Sequence, residues 1–135
     1  MNDMWLDANV LIRLITTEHP ELFQRSLRLV ERADRGEVTL RLLPMVVAEV
    51  IWVLRYFYQY PRTQIAELLL PLVTRQGVVL EEADIVIATL DRMAIANVDF
   101  LDAFLAETAR RRGGYVVSFD QDFRRLEVDW VEPEL

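Results

Sequence analysis

At 135 residues, 53% of them hydrophobic, the chain is long enough to bury a core and too apolar to be disordered. It has no cysteine, which excludes a disulfide framework and thiolate metal sites. Its net charge of −7 would repel nucleic acid at long range if spread evenly. All 15 basic residues are Arg, the side chain suited to bidentate contacts with phosphate and carboxylate. No charged n-region followed by an apolar run opens the sequence, so no signal peptide is expected. The most apolar long segment, residues 44–60, carries Glu49 and Arg55 and is short for a bilayer span. The expected setting is cytoplasmic.

The chain opens with a short apolar strand through Met4, Trp5 and Leu6 that stops at Asp7 and turns at once into a helix over residues 8–15. A buried and central first strand is expected, since open α/β sheets place ligands at such strand ends. Pro20 begins a second helix that Gly36 ends. Residues 38–43 alternate as a strand, and Pro44 opens a helix to about Tyr60. Another helix starts near Pro61 and Thr63, carries Pro71 as a kink or break, and ends at Gly77. Val78, Val79 and Leu80 form a third strand. Helices over residues 82–96 and 99–112 follow, the second closed by Arg110, Arg111, Arg112 and Gly113. Residues 115–118 form a fourth strand, 120–126 a short helix, and 128–131 a last strand. Strands alternating with helices predict a mostly parallel sheet with helices on both faces.

Four acids in this frame invite a chemical reading. Asp7 ends the first strand, although an Asp there is also a favoured helix N-cap. Glu49 is the only polar side chain between Met45 and Leu54. A helix apolar nearly all round is buried, so Glu49 is expected to be a buried carboxylate, which is costly without compensation. Asp99 and Asp102 lie three apart at a helix start and share a face. Asp99 fits a cap; Asp102 aligns with Leu105, Ala106 and Ala109 at the tip of what reads as the inward stripe. Asp120 repeats the logic of Asp7 after a strand ending in Ser118.

In a parallel sheet the strand ends and the helix starts after them share one edge, so Asp7, Asp102 and Asp120 are expected there, with Glu49 joining if its helix passes that edge. Two carboxylates about 5 Å apart repel by roughly 3 kcal/mol at an effective dielectric near 20. Four together call for a cation. Oxygen ligands without Cys select Mg²⁺ or Mn²⁺ over zinc, and the single histidine, His19, sits in a polar loop as a poor candidate for ligand or base. An acidic Mg²⁺ pocket commonly serves phosphate chemistry.

The segments Asp7-Ala8-Asn9-Val10-Leu11, Glu49 followed by Val53-Leu54, Asp99-Phe100-Leu101-Asp102-Ala103, and Val117-Ser118-Phe119-Asp120-Gln121-Asp122-Phe123 resemble, in order, the motifs of the PIN domain. Size and spacing are similar to the VapC-like toxins of toxin–antitoxin pairs. The resemblance covers essentially the whole chain, so residues 1–135 are expected to be a single PIN-like domain with a three-layer α/β/α fold around a central, mostly parallel sheet of about five strands. It implies a Mg²⁺- or Mn²⁺-dependent endoribonuclease with one or two ions, in which Asp7, Glu49, Asp102 and Asp120 bind metal. Asn9, Asp99 and Ser118 would assist those acids, and Asp122 is an alternative to Asp120 as the fourth ligand. Ser118 stands where Thr is common. The implied partners are an RNA substrate, a second copy in a homodimer, and an antitoxin whose C-terminal segment lies along the active-site groove. The cluster Tyr56-Phe57-Tyr58-Tyr60 could serve such contacts, with core and rim packing the plainer use. Arg13, Arg110, Arg111, Arg112, Arg124 and Arg125 are candidates to hold the RNA backbone, helix-end capping and solvated surface being the plainer use of most of them.

Other classes fit less well. A haloacid-dehalogenase-like phosphatase would need an acid where Asn9 stands and a lysine that this sequence lacks. A response-regulator receiver needs paired acids after the first strand and a lysine near the end. A GxxxxGK phosphate loop is absent, as is a Gly-x-Ser-x-Gly elbow. A non-catalytic PIN-like module binding RNA or protein remains the alternative within the same fold.

Overall fold

A computed structural model describes residues 2–134, and the chain divides into two compact units, Met1–Ala83 and Asp84–Leu135. The first contains β1 (Asp3–Trp5), α1 (Ala8–Thr16), α2 (Pro20–Asp34), β2 (Thr39–Leu42), α3 (Pro44–Trp52), α4 (Arg62–Val73) and β3 (Val78–Leu80). Its strands pair in parallel in the order β1-β2-β3, with Met4 opposite Leu40 and Leu40 opposite Val78. Leu40 and Leu42, two apart and so on one face of the central strand, are both 0% exposed. The first strand departs from expectation. In this sheet β1 is an edge paired on one side, and Asp3, Met4 and Trp5 are all exposed. The Trp5 ring lies 5.4 Å from the Arg41 guanidinium, and burial begins only at Leu6, whose N–H donates to the Arg41 carbonyl at 2.9 Å.

Local chemistry sets the helix limits. Pro20 opens α2 and Pro44 opens α3 as first-turn prolines, where the missing N–H costs nothing. Thr17, left-handed at φ 53°, ends α1, and Gly36 at φ 77° turns the chain after α2. Pro71 does not break its helix: α4 runs on to Val73, and the Thr74 hydroxyl donates to the Leu70 carbonyl at 2.6 Å to close the last turn. The long helix expected to reach Tyr60 instead leaves α-geometry after Trp52 for a π-helical turn, Val53–Phe57. Such turns are rare and mark local accommodation. Here Leu54 stays buried while the Arg55 Nε is shielded from solvent without a hydrogen-bond partner among the described residues.

The second unit holds α5 (Ala83–Ala96, from its second residue), α6 (Phe100–Arg112), β4 (Val116–Val117), a 3₁₀ helix (Gln121–Leu126) and β5 (Trp130–Val131). β4 and β5 pair in parallel, Val116 opposite Trp130. The mixed α/β architecture and the parallel pairing are as the sequence predicts. The strands form a three-stranded and a two-stranded sheet rather than one of about five, and β4 and β5 are two residues each. The inward face of α6 also differs from expectation: Phe100, Ala103, Ala106 and Glu107 are buried, whereas Leu105 is 43% exposed. Among the described residues, no helix is long and apolar enough to cross a membrane.

Glu107 is the charged member of that face, 4% exposed. Arg110 Nη1 donates to its Oε1 at 3.1 Å and Arg92 Nε at 3.3 Å, with Arg111 Nε 3.7 Å from Oε2. A buried carboxylate is tolerable only when so compensated. The three arginines are partly exposed and can rehydrate if Glu107 is removed. Glu107→Ala is therefore expected to lower stability by about 2 kcal/mol, somewhat below the usual figure for opening a buried pair, as read from the midpoint of urea unfolding.

Candidate metal centre

The start of α6 and the loop after β4 bring three carboxylates together. Asp102, Asp120 and Asp122 each offer an oxygen, and these oxygens lie within 4.8 Å of one another. Asp102, in the first turn of α6, is half-buried; Asp120 and Asp122 are exposed. Burial pushes the Asp102 carboxyl above the usual carboxylate range, and the charges of Asp120, Asp99 and Asp122 push it the same way. Like charges this close oppose one another's ionisation.

The loop is held by its own backbone. Asp120 N–H donates to Ser118 Oγ, and Asp122 N–H to Asp120 Oδ1, each at 2.9 Å. The Ser118 carbonyl accepts from Trp130 Nε1 at 2.9 Å, tying the loop to β5. Ser118 thus positions the backbone of Asp120. Asp120 does cap the 3₁₀ helix, but the cap occupies Oδ1 only. Asp122 is engaged through Oδ1 with Arg125 Nη2 at 3.3 Å. The Oδ2 atoms of Asp120 and Asp122 carry no hydrogen bond among the described residues. The geometry groups Asp120 and Asp122 together with Asp102. Alternation along the sequence could not show this, because the Asp120-Gln121-Asp122 spacing converges only once residue 121 turns into the 3₁₀ helix.

Asp99 occupies the N-cap position of α6, but its side chain makes no capping bond there. Asp7 likewise stands at the N-cap of α1 with extended backbone and no side-chain cap. It is exposed, and no ion pair or hydrogen bond engages its carboxylate among the described residues. The capping explanation for Asp7 therefore does not account for an acid there.

Glu49 corrects the sequence reading. It is exposed, not buried, although its helix is otherwise apolar. α3 buries Val47, Val50 and Ile51 and leaves Met45 81% and Trp52 61% exposed; Glu49 lies on that outer stripe, four residues from one and three from the other. An all-apolar sequence does not reveal which side of a helix is covered. Asp7 and Glu49 belong to the unit Met1–Ala83, where α1 packs against α3.

The remaining candidates separate by their partners. Arg13 pairs with Glu18 at 3.5 Å. Arg110 and Arg111 serve Glu107, Arg124 bonds Gln121 at 2.6 Å, and Arg125 donates to the Ala96 carbonyl at 3.0 Å as well as to Asp122. Arg112 is exposed at the end of α6. Asn9 is exposed in the first turn of α1.

Parallel strands followed by loops and helix starts that gather carboxylates define a class of α/β protein suited to a hard divalent cation. Within that class the chain belongs to the PIN domain family, whose model matches residues 4–129. PIN domains are generally nucleases and typically use divalent metals. No curated protein matches the chain.

Proposed function

We propose that the protein is a Mg²⁺- or Mn²⁺-dependent endoribonuclease, the toxin of a VapBC-type toxin–antitoxin pair. The convergence of Asp102, Asp120 and Asp122 within 4.8 Å in a PIN domain carries this reading. Three oxygen donors without nitrogen or sulfur suit a hard cation, and the burial and neighbouring charges that raise Asp102 are costs a cation would offset. Asp7 and Glu49, exposed acids with no partner among the described residues, complete the acid set in this proposal. A bound ion would supply activation of water and neutralisation of phosphodiester charge.

The protein's own contribution is positional. Ser118 and the Asp120 cap fix the loop, and Arg125 holds one oxygen of Asp122. Homodimerisation and antitoxin binding belong to the same proposal. They are supported by the exposed apolar stripe of Met45 and Trp52, continued by Tyr56 and Phe57, which are 50% and 73% exposed, since exposed apolar patches mark interaction sites.

The test is incubation of total bacterial RNA with purified protein in millimolar Mn²⁺ and in EDTA. Discrete cleavage products in Mn²⁺ and none in EDTA are expected. A folded protein that binds Mn²⁺ and RNA yet leaves the RNA intact would defeat the nuclease reading in favour of a binding module.

A further inference from the structure

A second feature lies in the unit Met1–Ala83. α1 and α2 enclose an open cleft of about 380 Å³, lined by Asn9, Arg13, Leu22, Arg25, Ser26 and Leu29 among others. Two guanidiniums, an amide and a hydroxyl thus share a wall with two leucines. No acid lines it, in a chain where 22 acids outnumber 15 arginines.

How these groups are engaged is informative. Arg32, Arg35, Arg41, Arg75, Arg92, Arg110, Arg111 and Arg125 each have a carboxylate partner. Arg25 has none among the described residues. Arg13 has only Glu18, at 3.5 Å, and Glu18 is shared with the Tyr58 hydroxyl at 2.5 Å and His19 at 3.7 Å. Ser26 is 9% exposed, yet its hydroxyl makes no hydrogen bond among the described residues, whereas Thr16, Thr89 and Thr108 each bond back to a helix carbonyl. The Ser26 hydroxyl, reachable from the cleft, therefore has its hydrogen-bonding capacity open to a ligand or to water.

We propose that this cleft seats a phosphate of the RNA strand, on Arg13 and Arg25 with Asn9 and Ser26 as hydrogen-bonding neighbours, while Leu22 and Leu29 lie under the adjoining ribose or base. The assignment rests on the ribonuclease reading and extends it: the strand is held on α1 and α2, beginning two residues after Asp7. Guanidinium pairs favour phosphate over a point-charge ligand, and half or more of nucleic-acid contacts fall on the backbone.

Binding of a fluorescein-labelled single-stranded RNA, followed by anisotropy across a salt series with Ca²⁺ in place of Mn²⁺, tests it. Arg25→Ala is expected to weaken binding about tenfold and to reduce the salt slope by about 0.7, the loss of one single-strand phosphate contact. Arg25→Lys should keep most of the slope, and Arg28→Ala, on the same helix but outside the cleft, should match wild type. If Arg13→Ala and Arg25→Ala both bind RNA with wild-type affinity and slope, the cleft assignment falls while the nuclease reading stands. If the wild type binds no RNA, or binds only polyglutamate through these arginines, both fall.

Discussion

Replacing Asp102 by Asn is expected to give a folded protein whose melting temperature no longer rises with Mn²⁺ and whose RNA cleavage falls about 100-fold or more. In the wild type, a cation at about 100 times its Kd adds roughly 2.7 kcal/mol to the native state, near 8 °C for a chain of this size. Asn keeps the shape of Asp102 but removes the charge that a hard cation requires. Without metal the sign reverses. Asp102 is disfavoured as an anion by burial and by Asp120, Asp99 and Asp122, so in EDTA the variant should melt slightly above wild type. After allowance for solvent screening the gain is on the order of 0.5 kcal/mol. If Asp102 merely favoured the helix dipole, Asn would instead lower stability in EDTA, and Mn²⁺ would leave the wild type unmoved. Differential scanning fluorimetry of both proteins in both buffers separates the two accounts. Asp7→Asn and Glu49→Gln belong in the same series, where each is expected to lose part of the Mn²⁺ increment if its carboxylate completes the acid set.

The identity of these acids was readable because each breaks a local pattern: Asp7 and Asp120 end strands, Glu49 interrupts an apolar run, and Asp102 follows a cap position without being the cap. Helix limits were readable for a related reason, since Pro20, Pro44, Gly36 and Gly113 act through the backbone alone. Burial was not readable, because it depends on what covers a face. The apolar β1 is exposed as an edge, the apolar α3 shows Met45, Glu49 and Trp52 to solvent, and α6 buries Glu107 while exposing Leu105. In each case hydropathy named a side chain's preference, while packing partners distant in sequence decided the outcome. Nothing in the sequence marks Glu107, because its compensation comes from Arg92, fifteen positions away on α5, as well as from its own helix. Nor does it mark Arg25, since nothing local separates an arginine facing a cleft from one on a solvated face.

Gly77 shows the same limit at a single atom, and Gly77→Ala is expected to destabilise the protein by about 3 kcal/mol. Its position after a helix suggests an ordinary stop, where Gly serves for its left-handed backbone. Yet Gly77 is not among the residues with positive φ, so Ala would meet no backbone objection and would normally stabilise by about 0.4–1 kcal/mol. The obstacle is α2. A Cβ on Gly77 would stand 2.6 Å from the Ala33 Cβ and 2.7 Å from the Ala33 carbonyl carbon and oxygen, distances that a rotamer change cannot relieve. The neighbourhood is fixed from both sides. Arg75 clamps Asp34 at 2.7 Å and 2.9 Å, and the Gly77 carbonyl accepts the Leu40 N–H at 2.9 Å. Making room for a methyl must therefore move either α2 or the β2–β3 pairing, and both carry buried side chains, Val30 and Ala33 on one and Leu40 on the other. Gly36→Ala supplies the contrast: no atom of the described residues lies within 4 Å of its would-be Cβ, but φ is +77°, so only the left-handed penalty of about 1 kcal/mol applies. Urea unfolding of the two variants should thus rank Gly77→Ala well below Gly36→Ala. The reverse order would mean that the glycine is there for its backbone and that α2 does not press on it.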